Sequence, residues 1–206
     1  SDAAMVMLSD YYARGQGVEK NVAKALEMLQ RAAEKGNDNA LAILGFWYAE
    51  GKDVPKDYAK TFEYWHKAAE NGFVRIYNRL GILYLDGVGV AQNSAEAIKW
   101  LRKGGENGDL TSIYNLGCLY YTGQAVDQNY DRAFEYFQAT KSLNRIQSSR
   151  YLGEMYVFGR GTAPDANIGY DLLEAAALSS HFAAQSIMGA LYRNGAGFAD
   201  PMLVRA

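Results

Sequence analysis

The residues with the chemistry most often used in catalysis are few and far apart in this sequence. It contains two histidines, His66 and His181, and one cysteine, Cys118. A nucleophile or a general base works only with a partner within hydrogen-bond reach, and these three residues show no spacing that would bring them together. We therefore expect His66 and His181 to be surface or capping residues and Cys118 to be a partly buried structural thiol.

Known catalytic motifs are also missing. The sequence contains no H-E-x-x-H, no G-x-S-x-G and no G-x-x-x-x-G-K-[ST]. One cysteine forms neither an intrachain disulfide nor a thiolate zinc site. Carboxylates such as Glu63, Asp86 and Glu154 stand at helical spacing, which is typical of solvated helix faces. We expect no enzymatic activity, no cofactor and no metal site.

A glycine-rich stretch, Gly87-Val88-Gly89-Val90, follows an apolar run, where a phosphate-binding loop would be expected. Related stretches recur along the chain as GQGV (15–18), GKDV (51–54), GQAV (123–126), GRGT (159–162) and GAGF (195–198). A phosphate cradle needs its glycines at one site, directly after a strand. The recurrence therefore indicates a structural turn at the end of a helix and argues against a nucleotide site.

These turns belong to a repeat of 36 residues that runs through the chain without a gap. Three columns of the repeat carry an apolar residue, an aromatic residue and a glycine. The columns are Leu8, Leu44, Leu80, Leu116, Leu152 and Met188; Tyr12, Tyr48, Tyr84, Tyr120, Tyr156 and Tyr192; and Gly15, Gly51, Gly87, Gly123, Gly159 and Gly195.

The leucine and tyrosine columns are four residues apart, so they form one stripe of a first helix, called helix A. Helix A is predicted over 4–14, 40–50, 75–86, 111–122, 147–158 and 183–194. The glycine that follows suits the left-handed conformation that closes a helix. A further glycine stands beside the leucine in repeats two to six, and we expect it to allow another backbone to approach closely. This column is Gly45, Gly81, Gly117, Gly153 and Gly189.

A second helix, helix B, is predicted after each glycine turn. It starts at an Asx residue, whose side-chain oxygen accepts a hydrogen bond from a first-turn amide. Its predicted core columns begin with Leu26 and with Leu29, and it closes at Gly36 and its equivalents. The Asx column is Asn21, Asp57, Asn93, Asn129 and Asp165.

A single hairpin of helices A and B cannot bury its apolar face alone, so consecutive hairpins must stack into a solenoid. The whole chain, 1–206, is predicted to be one repeat domain. Its units are approximately 1–36, 37–72, 73–108, 109–144, 145–180 and a partial 181–206. In the last unit Pro201 stands where the cap of helix B would fall, so we expect only helix A there.

The pattern A-x-x-x-L-G-x-x-Y-x-x-G-x-G-V, followed by an Asx and an Ala-rich apolar stripe, resembles the Sel1-like repeat family, a relative of the tetratricopeptide repeats. The clearest copies are 40–57 and 78–93. The resemblance implies an all-α fold, a right-handed solenoid of stacked αα-hairpins. It also implies that helix A lines a concave surface and that the protein works by protein–protein interaction.

Composition narrows the classes of partner. Lys and Arg number 21 and Asp and Glu 23, so the net charge of −2 does not favour a nucleic-acid partner. No apolar run approaches the roughly 20 residues of a membrane span, and we expect no membrane insertion. Ser1 is not an initiator residue, which leaves a removed signal segment possible and the compartment open between cytoplasm and periplasm.

Within helix A, several columns differ in residue type from copy to copy, so packing does not dictate them. They share one face of the helix, at spacings of three, four and seven residues, and we expect this face to bind a protein or peptide partner. Arg and Tyr are enriched in binding hot spots, and Asn pairs well with an extended peptide backbone. The candidate residues are Asn39, Phe46, Arg75, Asn78, Arg79, Ile82, Tyr114, Asn115, Arg150, Tyr151 and Glu154.

Three arginines in these columns, Arg75, Arg79 and Arg150, predict a locally positive face despite the negative total charge. The function expected from all these observations is a scaffold or adaptor that binds a peptide or protein partner on the helix A surface. Two alternatives stay open. One is an immunity-type inhibitor of a secreted bacterial toxin, a role found among bacterial relatives, and the other is an enzyme, which would need a pocket of convergent titratable groups.

Overall fold

A computed structural model describes residues 1–142, 145–179 and 182–194 of the chain. Within these ranges the regular elements are helices, with no strand among them. The α-helices, in chain order, are α1 (Asp2–Arg14), α2 (Val22–Glu34), α3 (Asp38–Glu50), α4 (Tyr58–Glu70), α5 (Tyr77–Asp86), α6 (Ser94–Glu106), α7 (Leu110–Thr122), α8 (Tyr130–Thr140), α9 (Arg145–Phe158), α10 (Ala166–Leu178) and α11 (Phe182–Asn194).

The contacts divide the chain into two compact units, Ser1–Asn107 and Gly108–Ala206, called unit 1 and unit 2. In unit 1 the hairpins are α1 with α2, α3 with α4 and α5 with α6, and α2 packs on α3 and α4 on α5. In unit 2 the hairpins are α7 with α8 and α9 with α10, while α8 packs on α9 and α10 on α11. Within the two units, α2, α4, α8 and α10 thus each lie between their own helix A and the helix A that follows, as the repeat predicts.

The predicted caps explain where each helix B begins. The side-chain oxygen of Asn21 accepts a hydrogen bond from the Lys24 amide at 2.9 Å, and Asp57 does the same for Lys60 at 3.0 Å. Asn93, Asn129 and Asp165 cap α6, α8 and α10 in the same way. Because each cap satisfies an amide that the helix leaves unpaired, it is worth about 1 kcal/mol.

Glycine in the left-handed region ends helix A in each complete repeat. Gly51 closes α3 at φ 67° and Gly123 closes α7 at φ 73°, and the amide of each donates to the carbonyl four residues earlier. A side chain at such a φ costs roughly 1–2 kcal/mol, so the invariant glycine has a backbone cause. The helix A closure predicted at Gly195 lies outside the described residues, as do Asn144 and Ser180, the equivalents of Gly36 in repeats four and five, together with His181 and the tail around Pro201.

The third repeat departs from the predicted bounds of helix A. A 3-10 helix over Val74–Ile76 precedes α5, so Arg75 lies in this short helix and not in the first α-helical turn. The reason is the residue at the cap. Phe73 stands where Asn37 caps α3 and Asp109 caps α7, and a phenylalanine ring accepts no amide hydrogen bond.

Within each unit the core lies between a helix B and the first helices that pack against it. Leu29, Leu101, Phe137 and Leu173 are fully buried in helix B, and Trp65 is almost so. The core column predicted at Leu26 is only half-buried, and it is the small residue before it, Ala25, that is fully enclosed.

The glycine beside the leucine makes room mainly for a side chain, and the expected close backbone is found at Gly81 and Gly153 but not at Gly45 and Gly117. A Cβ at Gly45 would overlap the indole ring of Trp65, and one at Gly117 would meet Phe137 at 2.9 Å. A Cβ at Gly81 or Gly153 would also meet a backbone carbonyl oxygen, that of Ala97 at 3.2 Å or that of Gly169 at 2.9 Å. Each glycine therefore receives the large core residue of its own helix B.

The second glycine of the turn between helix A and helix B allows the preceding helix B to approach closely. Gly89 and Gly161 have φ near 70°, and a Cβ on either would overlap the backbone carbonyl of Tyr58 or Tyr130, at the start of the preceding helix B. In repeat four this place is taken by Ala125, which keeps φ 67° and is the only described non-glycine residue with positive φ. The left-handed conformation is thus kept in repeat four without a glycine, whereas Asp53, at the same place in repeat two, does not adopt it.

Candidate functional site

In unit 1, the candidate residues of helix A centre on an arginine stacked on two aromatic rings. The guanidinium carbon of Arg79, on α5, lies 4.7 Å from the ring centroid of Phe46 and 5.8 Å from that of Trp65. Phe46 and Trp65 pack edge to face with centroids 5.1 Å apart. Arg79 is exposed and Phe46 is half-buried. We call these three residues the unit 1 cluster.

The indole of Trp65 is held in place by a hydrogen bond and by packing against α3. Its ring nitrogen donates to the Ala42 carbonyl at 3.2 Å, and the ring fills the space left by Gly45. The cluster is therefore a rigid aromatic support under an exposed positive charge. Cation–π contacts of this exposed kind are worth about 0.5–1 kcal/mol, so the guanidinium keeps most of its capacity to bind a partner.

The remaining unit 1 candidates are spread around this cluster. Asn39, near the start of α3, and Arg75 are exposed, while Asn78 and Ile82 on α5 are half-buried. A shallow pocket of about 300 Å³ lies between α1 and α3, lined by residues that include Met7, Ile43 and Trp47. Some of its lining residues, Met7 among them, belong to the variable columns of helix A in the first repeat. The candidate residues chosen from the sequence did not include any residue of this repeat.

In unit 2, the candidates form a denser set of polar and aromatic side chains. Tyr114 and Cys118 lie on α7, and Arg150, Tyr151 and Glu154 lie on α9. The ring of Tyr151 stacks on that of buried Phe137 with centroids 4.4 Å apart, and Tyr114 lies 6.3 Å from Tyr151. We call Tyr114, Cys118, Tyr121, Arg150, Tyr151, Glu154 and Arg160 the unit 2 cluster. Asn115, also half-buried on α7, is the remaining candidate.

A chain of polar contacts crosses this cluster. Arg150 donates to one carboxylate oxygen of Glu154 in an i,i+4 ion pair, whose side chains are only 15% and 12% exposed. The Tyr121 hydroxyl donates to the other oxygen of Glu154 at 2.7 Å, and Arg160 donates to the Tyr121 oxygen at 3.0 Å. The expected positive face is therefore wrong at Arg150, because Glu154 neutralises it.

Burial shifts the titration of this cluster. It raises the pKa of Tyr114 and Tyr151, and the Cys118 thiol adds to the rise in both. Burial, followed by the hydrogen bond and charge of Glu154, also raises the pKa of Tyr121. The pKa of the Cys118 thiol is raised by burial, although hydrogen bonds to Tyr114 and Tyr151 offset part of this. A half-buried thiol with a raised pKa is a poor nucleophile, as expected for a structural cysteine.

Two polar members of the unit 2 cluster, Tyr121 and Arg160, were missed from the sequence. Tyr121 is the only aromatic residue in a column otherwise filled by Ala13, Ala49, Leu85 and other non-aromatic residues, and this exception was the available signal. Arg160 lies in the irregular turn GRGTAPD of repeat five. Glu154 was assigned both to a solvated face and to the candidate surface. Its 12% exposure contradicts the solvated face, and its place on a binding surface stays a prediction.

Other groups with possible chemistry are dispersed. His66 is half-buried and faces Glu70 at 3.4 Å, while Glu63 pairs with Lys67 at 2.8 Å on the exposed side of α4. Among residues 1–142, 145–179 and 182–194, no three His, Cys, Asp or Glu side chains are grouped as a metal site would need. No described helix has the length and apolar character of a membrane span.

The geometry defines the class of protein as an all-α array of stacked αα-hairpins, and the predicted fold class is confirmed. A family model, the Sel1 repeat, matches residues 2–37, 38–73, 77–109, 111–144 and 146–181. The chain belongs to the Sel1 repeat family. No curated protein matches the sequence.

Solved structures of bacterial proteins share the fold. A protective antigen of uropathogenic Escherichia coli strains, displaying an SLR fold, is 30% identical with a TM-score of 0.83; the match covers 96% of this chain and 42% of that one. The chain thus spans less than half of that relative. A Sel1 repeat protein from Oxalobacter formigenes is 26% identical with a TM-score of 0.79, covering 97% of this chain and 80% of that one.

An immunity protein from Pseudomonas aeruginosa is 22% identical with a TM-score of 0.49, over 86% of this chain and 68% of that one. At this level the likeness carries no argument about function. The immunity-type alternative therefore stays a prediction from the family resemblance alone.

Proposed function

We propose that the protein is a scaffold or adaptor that binds a peptide or protein partner on its helix A surface. Sel1 repeats are in general protein-interaction scaffolds, and the chain belongs to that family. The observation that carries the proposal is the unit 1 cluster. An exposed guanidinium held on two aromatic rings combines contact area, directed hydrogen-bond donors and a fixed position, which is the composition of a binding hot spot.

The chemistry of the partner follows from what the cluster offers. The planar guanidinium of Arg79 presents donors that match a carboxylate. Phe46 and Ile82 beside it are half-buried, so they leave apolar surface for a neighbouring side chain. A partner segment with an acidic residue next to an apolar one fits this surface in charge and in polarity.

The unit 2 cluster supports binding in a different way. Its tyrosine rings and hydroxyls are half-buried and held in one arrangement by Phe137, Glu154 and Arg160. Tyrosines fixed before binding lose little side-chain entropy when a partner arrives, so a rigid surface of this kind favours tight contact. Because Arg150 is already paired, this surface binds through aromatic contact and hydrogen bonds more than through net charge.

Affinity capture with quantitative mass spectrometry tests the proposal. We expect wild-type protein to retain a set of partners that Arg79→Glu loses. Arg31→Glu is the matched control, because Arg31 is an exposed arginine on a helix B, α2, where it pairs only with Glu27. If Arg79→Glu retains the same partners in the same amounts as Arg31→Glu, the helix A surface of unit 1 does not bind them.

A further inference from the structure

Three residues of repeats four and five depart from the residue types of their columns. Phe158 is the only apolar residue in its column, Tyr121 is the only aromatic residue in its column, and Arg160 is the only arginine in its column. The other members of the Phe158 column are Arg14, Glu50, Asp86, Thr122 and Asn194, and those of the Arg160 column are Gln16, Lys52, Val88, Gln124 and Ala196. The repeat pattern therefore does not explain these three residues.

The fold brings the three residues together around the guanidinium of Arg160. The guanidinium carbon lies 5.1 Å from the ring centroid of Phe158 and 5.5 Å from that of Tyr130, and Arg160 donates to the Tyr121 hydroxyl at 3.0 Å. The rings of Tyr121 and Tyr130 pack edge to face with centroids 5.4 Å apart. Contacts with α7, α8 and the end of α9 thus hold the Arg160 side chain in place. We call Phe158, Arg160 and Tyr130 the turn patch.

The turn between α9 and α10 does not need these side chains for its own geometry. The equivalent turn of repeat three approaches the preceding helix B just as closely, because a Cβ on Gly89 or on Gly161 would overlap a backbone carbonyl there. In repeat three the places of Phe158 and Arg160 are taken by an aspartate and a valine. The same turn therefore forms without phenylalanine or arginine, and packing gives no reason for them.

The turn patch keeps apolar surface and hydrogen-bond donors for a partner. Phe158 is 51% exposed, and Arg160 is half-buried. Glu154 accepts from Arg150 and Tyr121, and Arg160 takes part in no ion pair within the described part of the chain. A guanidinium has five N–H donors, of which the contact with Tyr121 uses one. Arg160 therefore retains a positive charge and donors that the described residues do not neutralise or use.

We propose that the turn patch binds a partner segment in which an Asp or Glu stands beside a large apolar residue. The unpaired charge of Arg160 favours a carboxylate, to which the planar guanidinium offers two parallel donors. The exposed ring of Phe158 gives the neighbouring apolar side chain a surface to cover. Because the aromatic rings fix Arg160 before binding, little side-chain entropy is lost when the partner arrives. This contact rests on the protein-binding role proposed above and involves unit 2, whereas Arg79 serves unit 1.

Selection of random peptides displayed on phage tests the class of ligand. The 206-residue chain is the bait, and peptides that also bind Arg160→Gln are removed. Glutamine stands in the Arg160 column of repeats one and four, so this variant should fold. We expect the remaining peptides to share an Asp or Glu next to an aromatic or large aliphatic residue.

The dissociation constant of one selected peptide, measured by calorimetry, tests the two residues separately. Phe158→Thr places the residue type of repeat four in this column and should weaken binding about tenfold or more, as Arg160→Gln should. Two controls that remove a charge elsewhere should change the constant less than about twofold. They are Lys141→Gln, at an exposed lysine of unit 2, and Arg79→Gln in unit 1.

Circular dichroism checks that each variant is folded. Should Arg160→Gln unfold, Phe158→Thr replaces it in the counter-selection, so the ligand class is tested in either case. A failed selection leaves the Arg79 capture experiment unaffected, and a failed capture leaves the Arg160-dependent peptides in place. The two proposals therefore fail separately.

Three results would overturn the proposal. The selection could yield no peptide that depends on Arg160 or Phe158, or it could yield dependent peptides that lack an acidic residue. The third is that the chain dimerises in sedimentation and Phe158→Thr returns it to monomer, because a second copy of the chain would then cover the turn patch.

Discussion

The two clusters on the first helices hold arginine in opposite ways. In unit 1, Arg79 is exposed and stacked on Phe46, with aromatic rings and no carboxylate beneath it. In unit 2, Arg150 is enclosed with Glu154, so its charge is already neutralised. Neighbouring columns of the repeat thus give an exposed charge in one unit and an enclosed, neutralised ion pair in the other. Residue type at a variable column does not by itself identify a binding residue.

The largest difference is expected in the cores beneath the clusters. Gly45→Ala should destabilise unit 1 by about 2–3 kcal/mol, because its Cβ would overlap the buried Trp65 ring. Gly117→Ala should cost only about 1 kcal/mol in unit 2, where the contact with Phe137 is 2.9 Å and alanine favours the helix. Urea unfolding followed by tryptophan fluorescence reports unit 1, and hydrogen exchange of α7 reports unit 2. Equal losses would mean that both rings move aside equally well.

Glu154 should matter to stability more than an exposed carboxylate does. Glu154→Gln leaves Arg150 enclosed without its counter-charge, and we expect a loss of about 2 kcal/mol from unit 2. The matched control is Glu63→Gln in unit 1, where Glu63 and Lys67 are more than half exposed and the loss should stay below about 0.5 kcal/mol. Chemical denaturation gives both values. Similar small losses would show that solvent screens the Arg150–Glu154 pair as well.

High pH should weaken unit 2 through its tyrosines. Burial raises the pKa of Tyr114, Tyr121 and Tyr151 above the ordinary value of 10.0. Because the folded-state pKa is the higher one, their stabilisation is complete below about pH 10 and is lost as the pH rises above it, by at most about 1.4 kcal/mol per pH unit for each tyrosine. Tyrosinate absorbance measures the ionisation of the tyrosines, and hydrogen exchange of α7 to α9 measures the accompanying loss of stability. A Tyr121→Phe chain with an unchanged slope above pH 10 would remove Tyr121 from the account.

The smallest expected effect is a gain in the turn of repeat four. Ala125 adopts φ 67°, where Gly89 of repeat three has φ 73°. Ala125→Gly should stabilise the chain by about 0.5–1 kcal/mol, since the left-handed region costs alanine more than the extra unfolded-state entropy costs glycine. Thermal unfolding compares the two chains. A lower melting temperature would show that the alanine methyl group makes contacts worth more than the strain.

The parts of the fold that depend on neighbouring residues could be predicted from the sequence. Asn and Asp caps and left-handed glycine closures act within four residues, so the columns that contain Asn21 and Gly51 identified the helix ends directly. Phe73 shows what happens to a helix start where the capping side chain is absent. Its column was visible in the sequence, yet the loss of the cap and the 3-10 helix at Arg75 were not anticipated.

The site was harder to predict because its contacts join different repeats. Tyr121 and Glu154 are 33 residues apart, as are Lys20 and Asp53, so these pairs join columns three residues short of the repeat period. Residues in one column are a whole period apart, so the alignment of the repeats does not bring such offset pairs together. Without them, Arg150 and Arg79 were both assigned to one positive face, although only Arg79 keeps an exposed charge.

The most direct test of the binding account is the dissociation constant of a captured partner for wild type, Arg79→Glu and Arg31→Glu, measured by calorimetry at constant ionic strength. The account predicts that Arg79→Glu weakens binding by about tenfold or more, as expected for a hot-spot residue, and that Arg31→Glu changes it less than about twofold. If Arg79→Glu and Arg31→Glu bind equally well, the partner does not use the unit 1 cluster and the central claim is wrong.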